Sequence, residues 1–172
     1  MFITANPYQP TVGFFGPSGV NSADTRCSDE AGVFGYVGTY KALIVDGTNR
    51  IACTTSNCAG GSGEHVDWVL APNMQYTRPD GTPIHTTNGL GIFTTNLTNT
   101  IGAAASYWTG IAGTGAWNWV SGTAAETCQG WFNGTAGANG TYGVSTWLDE
   151  RAISIVAMQA CNVPNRLLCV EQ

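Results

Sequence analysis

The sequence predicts a single β-rich, loop-rich domain stabilised by disulfides, and three features of its composition support that prediction. Of its 172 residues, 23 are glycine and only 10% are charged, so strong helix formers are scarce and turn residues abundant. Hydrophobic residues make up 43% and six residues are tryptophan, which is enough to bury a core and unlike a disordered chain. Six cysteines, an even number, are typical of an oxidising compartment.

The first element along the chain is a short helix, predicted to begin near Asn21 and to end at Gly32. Asn21 or Ser22 can cap its N-terminus, because the side-chain oxygen of either residue can accept a backbone N–H. Small residues recur at every fourth position and predict one inward face: Ala23, Cys27 and Ala31.

Strands and turns are predicted to follow the helix. Residues 39–55 predict two strands joined by a turn at Asp46–Asn49, where Asp-Gly is the usual hairpin signal. Residues 66–78 predict a third extended stretch, and RPDGT at 78–82 predicts a turn. The Thr-, Asn- and Gly-rich run from 82 to 105 has little periodicity and predicts a long excursion with only short elements. Three closing strands are predicted at 106–111, 126–132 and 166–172.

Charge and segment patterns exclude some classes of protein. A net charge of −5 argues against a nucleic-acid binder, which would carry a basic stripe. No apolar run approaches the roughly 18 residues needed to span a bilayer. The first residues, MFITANPYQPTVGFFG, lack the basic start and apolar core of a signal peptide. Cysteines typical of export without such a segment predict a domain taken from a longer secreted or surface protein.

Three roles compete for the six cysteines: zinc ligands, a reactive thiol, or disulfides. Zinc sites usually present close pairs such as C-x-x-C, whereas the closest pair here is C-x4-C and the two histidines lie far apart. A catalytic thiol needs a partner histidine, which the terminal CVEQ does not supply. Disulfides are therefore favoured. Cys53 and Cys58 bracket four residues that a local bridge can close, whereas composition and spacing leave the pairing of four others open: Cys27, Cys128, Cys161 and Cys169.

Several stretches, taken in order, resemble a known group of exported domains. SADTRCSDEAGVFGYVGTYKALIVD resembles the opening helix and strand of the endostatin module, the C-terminal domain of some animal collagens. YWTGI, ETCQGW and LLCVEQ resemble the last third of that module. The same stretches, together with DWVL, are still more similar to an uncharacterised bacterial family of surface domains. That family occurs in spirochaete lipoproteins and at the C-termini of bacterial collagen-like adhesins.

The resemblance covers residues 12–172 and implies a C-type lectin-like (endostatin-like) α+β fold. Such a fold is a twisted antiparallel sheet with two short helices and a long loop region. The resemblance also implies a Cys27–Cys169 bridge nested around a Cys128–Cys161 bridge. Residues 1–11 are then expected to be a linker or stalk remnant. Because collagen-like stalks are trimeric, a homotrimer formed through such a stalk is expected as well.

The C-type lectin-like fold does not bring calcium-dependent sugar binding with it. Lectins of that type use Glu-Pro-Asn or Gln-Pro-Asp with Trp-Asn-Asp, but this chain has APN at 71–73 and WNW at 117–119, and both lack a carboxylate. Glu64, His65 and Asp67 form either a metal or acid–base trio or, as we favour, a polar loop entering a strand. No nucleophile elbow, zinc-protease or phosphate-loop motif occurs. We therefore expect no catalysis, no metal and no cofactor.

Aromatic residues supply a second set of candidates. Trp117 and Trp119 alternate, so one face of their segment carries both rings. They either stack on a sugar or a partner, or form a buried pair beneath the long loop. The remaining aromatic candidates are expected in the core: Trp68, Trp108 and Trp131.

The few cations are the expected contacts for a sulfated ligand, because guanidinium groups bind oxyanions through paired hydrogen bonds. Arg26 is expected to pair with an acid on the helix surface. A structural role is the alternative for Arg151, which follows two acids, and for Arg166, which enters the last strand. The candidate contacts are Lys41, Arg50, Arg78 and Arg151. A trimer would present each of these three times on one surface.

Together these features predict a non-catalytic adhesion domain at the end of a bacterial collagen-like surface protein. It would bind sulfated glycosaminoglycans of the host extracellular matrix, would not enter the membrane, and would lie outside the cell. The alternative is a trimerisation cap of the stalk with no ligand of its own. A third hypothesis, a metal-dependent lectin or hydrolase, depends on the Glu64–Asp67 loop.

Overall fold

Three small antiparallel sheets and one long helix make up the part of the chain that the computed structural model describes, residues 1–10 and 19–172. The helices are α1 (Val20–Phe34) and the short segment α2 (Cys128–Trp131). The strands are β1 (Phe2–Ile3), β2 (Tyr40–Ala42), β3 (Gln75–Thr77), β4 (Pro83–Thr86), β5 (Ser106–Trp108), β6 (Asn139–Val144), β7 (Met158–Ala160) and β8 (Leu168–Glu171). Single 3-10 turns lie at Ser56–Cys58, Ser62–Glu64 and Glu150–Ala152. The predicted mixed α+β class is confirmed.

The first sheet brings the two ends of the chain together. Its strand order is β1-β8-β2, so the last strand lies in the middle, and Cys169 pairs with Phe2 on one side and with Ala42 on the other. The other sheets are the hairpin β3-β4 and the meander β5-β6-β7. Strands β1, β6 and β7 have no counterpart among the sequence predictions. β1 and β7 are two and three residues long, and the six residues of β6, NGTYGV, show no regular alternation of apolar residues.

Residues 1–10 are packed against the domain, unlike the linker or stalk remnant expected over 1–11. The helix residue Glu30 is buried, and its carboxylate accepts hydrogen bonds from the backbone N–H groups of Ala5 and Asn6 and from the hydroxyl of Tyr8. A buried carboxylate needs such partners to offset its lost hydration. The predicted boundary between residues 11 and 12 lies outside the described residues.

Helix α1 is longer at both ends than the predicted 21–32. It begins at Val20 behind Gly19, without a side-chain cap, so Asn21 and Ser22 are helical residues and not caps. Gly32 lies inside the helix, which ends instead at Gly35. Gly35 has a left-handed φ of 73°, the usual conformation where a helix terminates. The predicted inward face is confirmed, because Ala23, Cys27 and Ala31 are buried.

The turn predicted at Asp46–Asn49 is present, but the prediction that the strands on either side of it pair as a hairpin is wrong. The Asp46 carboxylate accepts the backbone N–H groups of Thr48 and Asn49 at 2.9 and 2.7 Å, which closes the turn. The flanking segments pair elsewhere: β2 joins β8, and Ile51 bridges to Val66. A turn is a local property of the sequence, whereas the partner of a strand is not.

The predicted turn at 78–82 and the predicted strands at 106–111 and 166–172 are confirmed, whereas the strand predicted at 126–132 is wrong. The turn at 78–82 connects β3 to β4, with the Arg78 N–H 2.9 Å from the carbonyl oxygen of Thr82. Segments 106–111 and 166–172 contain β5 and β8. Segment 126–132 is not a strand, because it contains α2, in which all four residues have positive φ.

Three disulfides hold these elements together: Cys27–Cys169, Cys53–Cys58 and Cys128–Cys161. They have the pairing expected from the resemblance and from the local C-x4-C loop. The first joins α1 to β8 across 142 positions of sequence. It therefore fixes the helix on the sheet that contains both chain ends.

Two apolar clusters form the core. One lies beneath α1 and contains Trp108 and Trp131, and the other contains Trp119, Phe93 and Tyr107. Within the described ranges, no helix is both long enough and apolar enough to span a membrane.

Candidate functional site

Arg50 is a structural residue and not the surface contact that the sequence predicts. Its side chain has no exposed area, and it donates to both carboxylate oxygens of Asp24 at 2.8 and 2.7 Å. It also donates to the carboxylate of Asp67 and to the carbonyl oxygen of Ala42. Burial lowers the pKa of Arg50, but the hydrogen bonds and charge of Asp24 outweigh it and raise that pKa above its ordinary value. No donor remains for a ligand in solution.

Lys41 and Arg151 are partly exposed, but each is paired with a carboxylate. The ammonium of Lys41 contacts Asp67. The guanidinium of Arg151 contacts Asp149 and lies 3.4 Å from the ring centre of Trp147, a cation–π geometry. A ligand would have to compete with these acids for either cation.

Trp119 is buried, so the stacking platform of Trp117 and Trp119 is not a surface feature. The Trp119 indole donates to the carbonyl oxygen of Phe93 at 2.7 Å. The half-buried Trp117 ring stacks on it, with ring centres 6.4 Å apart and planes inclined by 17°. The alternative of a buried pair therefore describes these two residues better.

The loop around Glu64 does not converge on a metal or a substrate. Glu64 accepts hydrogen bonds from the backbone N–H groups of Thr54, Thr55 and Gly60, and so it closes the Cys53–Cys58 loop. The Thr55 hydroxyl is the main cause that lowers the pKa of Glu64 to about 2.

The other two members of the trio point elsewhere. The two ring nitrogens of His65 face the carbonyl oxygens of Ala52 and Leu90. Burial raises the pKa of Asp67, but hydrogen bonds from Lys41 and Arg50 outweigh it and hold that pKa below its ordinary value. Across residues 1–10 and 19–172, no three His, Cys, Asp or Glu side chains are grouped to hold a metal ion.

A groove of about 460 Å³ brings together residues from five separate segments of the chain. Its size lies within the range of about 300–1,000 Å³ that is usual for small-molecule sites. Aromatic rings form one wall, the turn after β3 forms one end, and the segment before β5 forms the other wall. The charged and aromatic side chains that line the groove are Phe2, Phe34, Tyr36, Arg78, Asp80 and Arg166.

The two arginines of the groove are the two cationic side chains that lack an ion pair within the described part of the chain. The other four, Arg26, Lys41, Arg50 and Arg151, each lie within 4 Å of a carboxylate. Arg78 is held by Thr100, whose carbonyl oxygen lies 2.7 Å from Nε. Arg166 is held through Nη1 by the carbonyl oxygens of Thr4 and Ala5. Neither arginine therefore has a carboxylate within 4 Å, although Asp80 lines the same groove and interacts electrostatically with Arg78.

The aromatic wall is a cluster of three rings at the end of α1. Phe2 meets Phe34 edge-on at 5.8 Å and Tyr36 at 5.3 Å, and Phe34 lies 5.5 Å from Tyr36. Phe34 is 43% exposed. These contacts fix the rings while leaving apolar surface open to the groove.

Backbone groups complete the groove. The backbone N–H of Thr4 donates to the carbonyl oxygen of Leu167, next to the strand pair β1-β8. Along an antiparallel strand, the backbone groups of successive residues point alternately towards and away from the partner strand, so the N–H and carbonyl of Ile3 point away from β8. On the opposite wall, the N–H groups of residues 102–104 make no hydrogen bond to any described residue. The groove thus offers neutral donors beside its two guanidinium groups.

Of these residues, the sequence pointed only to Arg78. Arg166 was not among the candidate contacts, and Phe2 was placed in a linker. Only the pairing of β1 with β8 brings them to one place, and short strands give little signal of their pairing.

The fold and the groove define a small, disulfide-stabilised α+β domain of the kind found in oxidising, extracellular or surface environments. Its sequence matches the model of a family described as protein of unknown function (DUF1554) over residues 9–148. The chain belongs to this family. No curated protein matches the chain.

Proposed function

We propose that this chain is a non-catalytic adhesion domain of an exported bacterial surface protein and that its groove binds acidic glycans. Sulfated glycosaminoglycans of the host matrix are the ligands we favour. One observation carries the proposal: the two arginines without a carboxylate partner, Arg78 and Arg166, both line the groove with the aromatic wall.

The chemistry of the groove suits a charged sugar. Guanidinium groups bind sulfate and carboxylate through charge-assisted hydrogen bonds, and they do so best where other donors are close. The face of a sugar ring is apolar enough to lie on an aromatic side chain such as Tyr36 or Phe34. A site with fixed rings and two fixed cations needs little reorganisation on binding, which favours affinity.

We further propose that the fold is C-type lectin-like and that the domain ends a collagen-like stalk. The sequence resemblance supports this, as does the covalent link between the first long helix and the last strand. With β1 and β8 side by side, a module of this kind can be attached by its N-terminus without exposing a loose C-terminal strand.

Binding of the purified domain to immobilised heparin, titrated with NaCl and repeated with EDTA, tests this function. We expect saturable binding that salt weakens and EDTA leaves unchanged. Arg78→Ala should reduce the affinity at least about tenfold, the scale of one charge-assisted contact. Arg151→Ala, which removes an ion-paired cation outside the groove, is the matched control and should bind like the parent protein.

Three results would count against the proposal. Absence of binding at low salt would refute glycan recognition. Equal losses for Arg78→Ala and Arg151→Ala would remove the groove as its location. Loss of binding in EDTA would assign the ligand to a metal site.

A second candidate function is a self-association cap for a trimeric stalk. Val33 and Val37, at the C-terminal end of α1, are 83% and 88% exposed, and Phe34 lies between them. Clustered exposed apolar residues often mark protein contacts. Sedimentation equilibrium should then find a trimer that Val33→Ser with Val37→Ser dissociates, whereas a monomer at every concentration would exclude the cap.

A further inference from the structure

We infer that the groove recognises a single acidic sugar unit, carrying one anionic group, and does not bind a polyanionic chain along its length. This inference rests on the proposed function and specifies its ligand. It follows from the distribution of charge in and around the groove.

The walls of the groove carry a net charge of about one positive unit. Arg78 and Arg166 supply two cations, and Asp80 supplies one anion. The Asp80 carboxylate accepts the backbone N–H of Thr82 at 2.9 Å, and this bond is the main cause that lowers the pKa of Asp80. Asp80 is therefore ionised at neutral pH, and one anionic group on the ligand balances the site.

The space next to the groove disfavours a second anionic group. A depression of about 430 Å³ shares Phe2, Tyr36, Arg78 and Pro79 with the groove, so a longer ligand would continue into it. Glu171 lines this depression. A sulfate placed there would meet a like charge, and repulsion of that kind is a common device for rejecting wrong ligands.

The remainder of the molecule gives a polyanion no basic path to follow. The net charge is −5, and the four cations outside the groove are all paired with carboxylates. Chains such as heparin gain affinity with length only when successive charges meet successive cations. On this protein, the sugar units of a polysaccharide beyond the first one or two would therefore add no affinity.

The test is calorimetric titration of the domain with heparin-derived di-, tetra- and octasaccharides at neutral pH, over a range of NaCl concentrations. We expect the three dissociation constants, expressed per disaccharide unit, to agree within about threefold, because a longer chain offers the groove more copies of the same unit but no second contact. The slope of log K against log salt should be no steeper than about −2, because no more than two cations are neutralised. An uncharged tetrasaccharide is the control for non-ionic binding.

The variant Glu171→Gln tests whether Glu171 repels a second anionic group of the ligand in the neighbouring depression. Glu171 is exposed at the end of β8, so its replacement should leave the fold unchanged. We expect at least about fivefold tighter binding of the octasaccharide and less than twofold change for the disaccharide.

The possible failures are distinguishable. An octasaccharide that binds at least about thirtyfold more tightly than the disaccharide, with a steep salt slope, would overturn the single-unit inference and leave the adhesion function intact. Equal dissociation constants of Glu171→Gln and the parent protein for every saccharide would show that Glu171 does not repel a second anionic group. No binding of any saccharide would refute the proposed function and the inference together.

Discussion

The Arg50 guanidinium donates two hydrogen bonds to the Asp24 carboxylate, at 2.8 and 2.7 Å, and has no exposed surface itself. Asp24 belongs to α1, and Arg50 follows the turn at 46–49, so this pair attaches the helix to the loop region. Asp67 binds the same guanidinium from a third segment. The cation therefore joins three parts of the fold that are distant in sequence.

Replacing Arg50 should destabilise the protein strongly. Arg50→Met leaves two carboxylates facing each other without their cation, and loss of one partner of a buried ion pair costs about 3–5 kcal/mol. The free energy of unfolding in urea measures this loss. Arg151→Met, at an exposed pair, should leave that free energy nearly unchanged. Similar values for the two variants would contradict the structural assignment of Arg50.

Glu64 should make stability depend on acid. Its pKa is lowered from 4.5 to about 2, chiefly by the Thr55 hydroxyl, so the unfolded chain binds more protons than the native state between these values. Stability is therefore fully present above about pH 4.5 and falls as the pH drops towards 2. The melting temperature of Glu64→Gln, measured over the same range, should fall less steeply than that of the parent protein. Parallel curves would show that Glu64 is not linked to folding.

Glu30 should hold the N-terminal segment in place. Glu30→Ala removes the acceptor for Ala5, Asn6 and Tyr8, and for the buried hydroxyl of Tyr8 the loss of this acceptor costs about 1–3 kcal/mol. We expect faster hydrogen exchange and faster proteolysis within residues 1–10. Asp29→Ala, on the exposed face of the same helix, is the control and should leave both rates unchanged. Protection of residues 1–10 in Glu30→Ala would contradict this role.

The left-handed segment α2 allows a paired test of backbone strain. Gln129 has φ 56° and an exposed side chain, whereas Gly130 has φ 73°. A side chain in this conformation costs about 1–2 kcal/mol, so Gln129→Gly should raise the melting temperature slightly and Gly130→Ala should lower it. Thermal unfolding by circular dichroism measures both. A lower melting temperature for Gln129→Gly would show that its hydrogen bond from Asn133 outweighs the strain.

Local patterns in the sequence were sufficient to predict the inward face of α1, the turns at 46–49 and 78–82, and the Cys53–Cys58 bridge. Each depends on residues within one or two turns of chain. The two long-range bridges came from the family resemblance and not from spacing. Sequence patterns could not reveal the pairing of β1 with β8, because two-residue strands have no periodicity to detect.

The candidate site shows the same division between local and distant information. The sequence predicts Arg50 as a surface contact because it stands at the edge of a turn, yet its partners lie 26 and 17 positions away in sequence. Arg166 and Phe2 come together only through the sheet. Identifying which cations remain unpaired requires the positions of every carboxylate, and those positions are a property of the folded chain.

The Cys27–Cys169 bond has a mechanical consequence. Tension applied between the two ends of the chain would pass from residue 27 directly to residue 169 and would bypass the segment between them. Only the residues outside this bond could be stretched, to about 100 Å at about 3.3–3.6 Å per residue. β1 and the contacts of residues 1–10 with Glu30 would yield first, while the chain between residues 27 and 169 would bear no load.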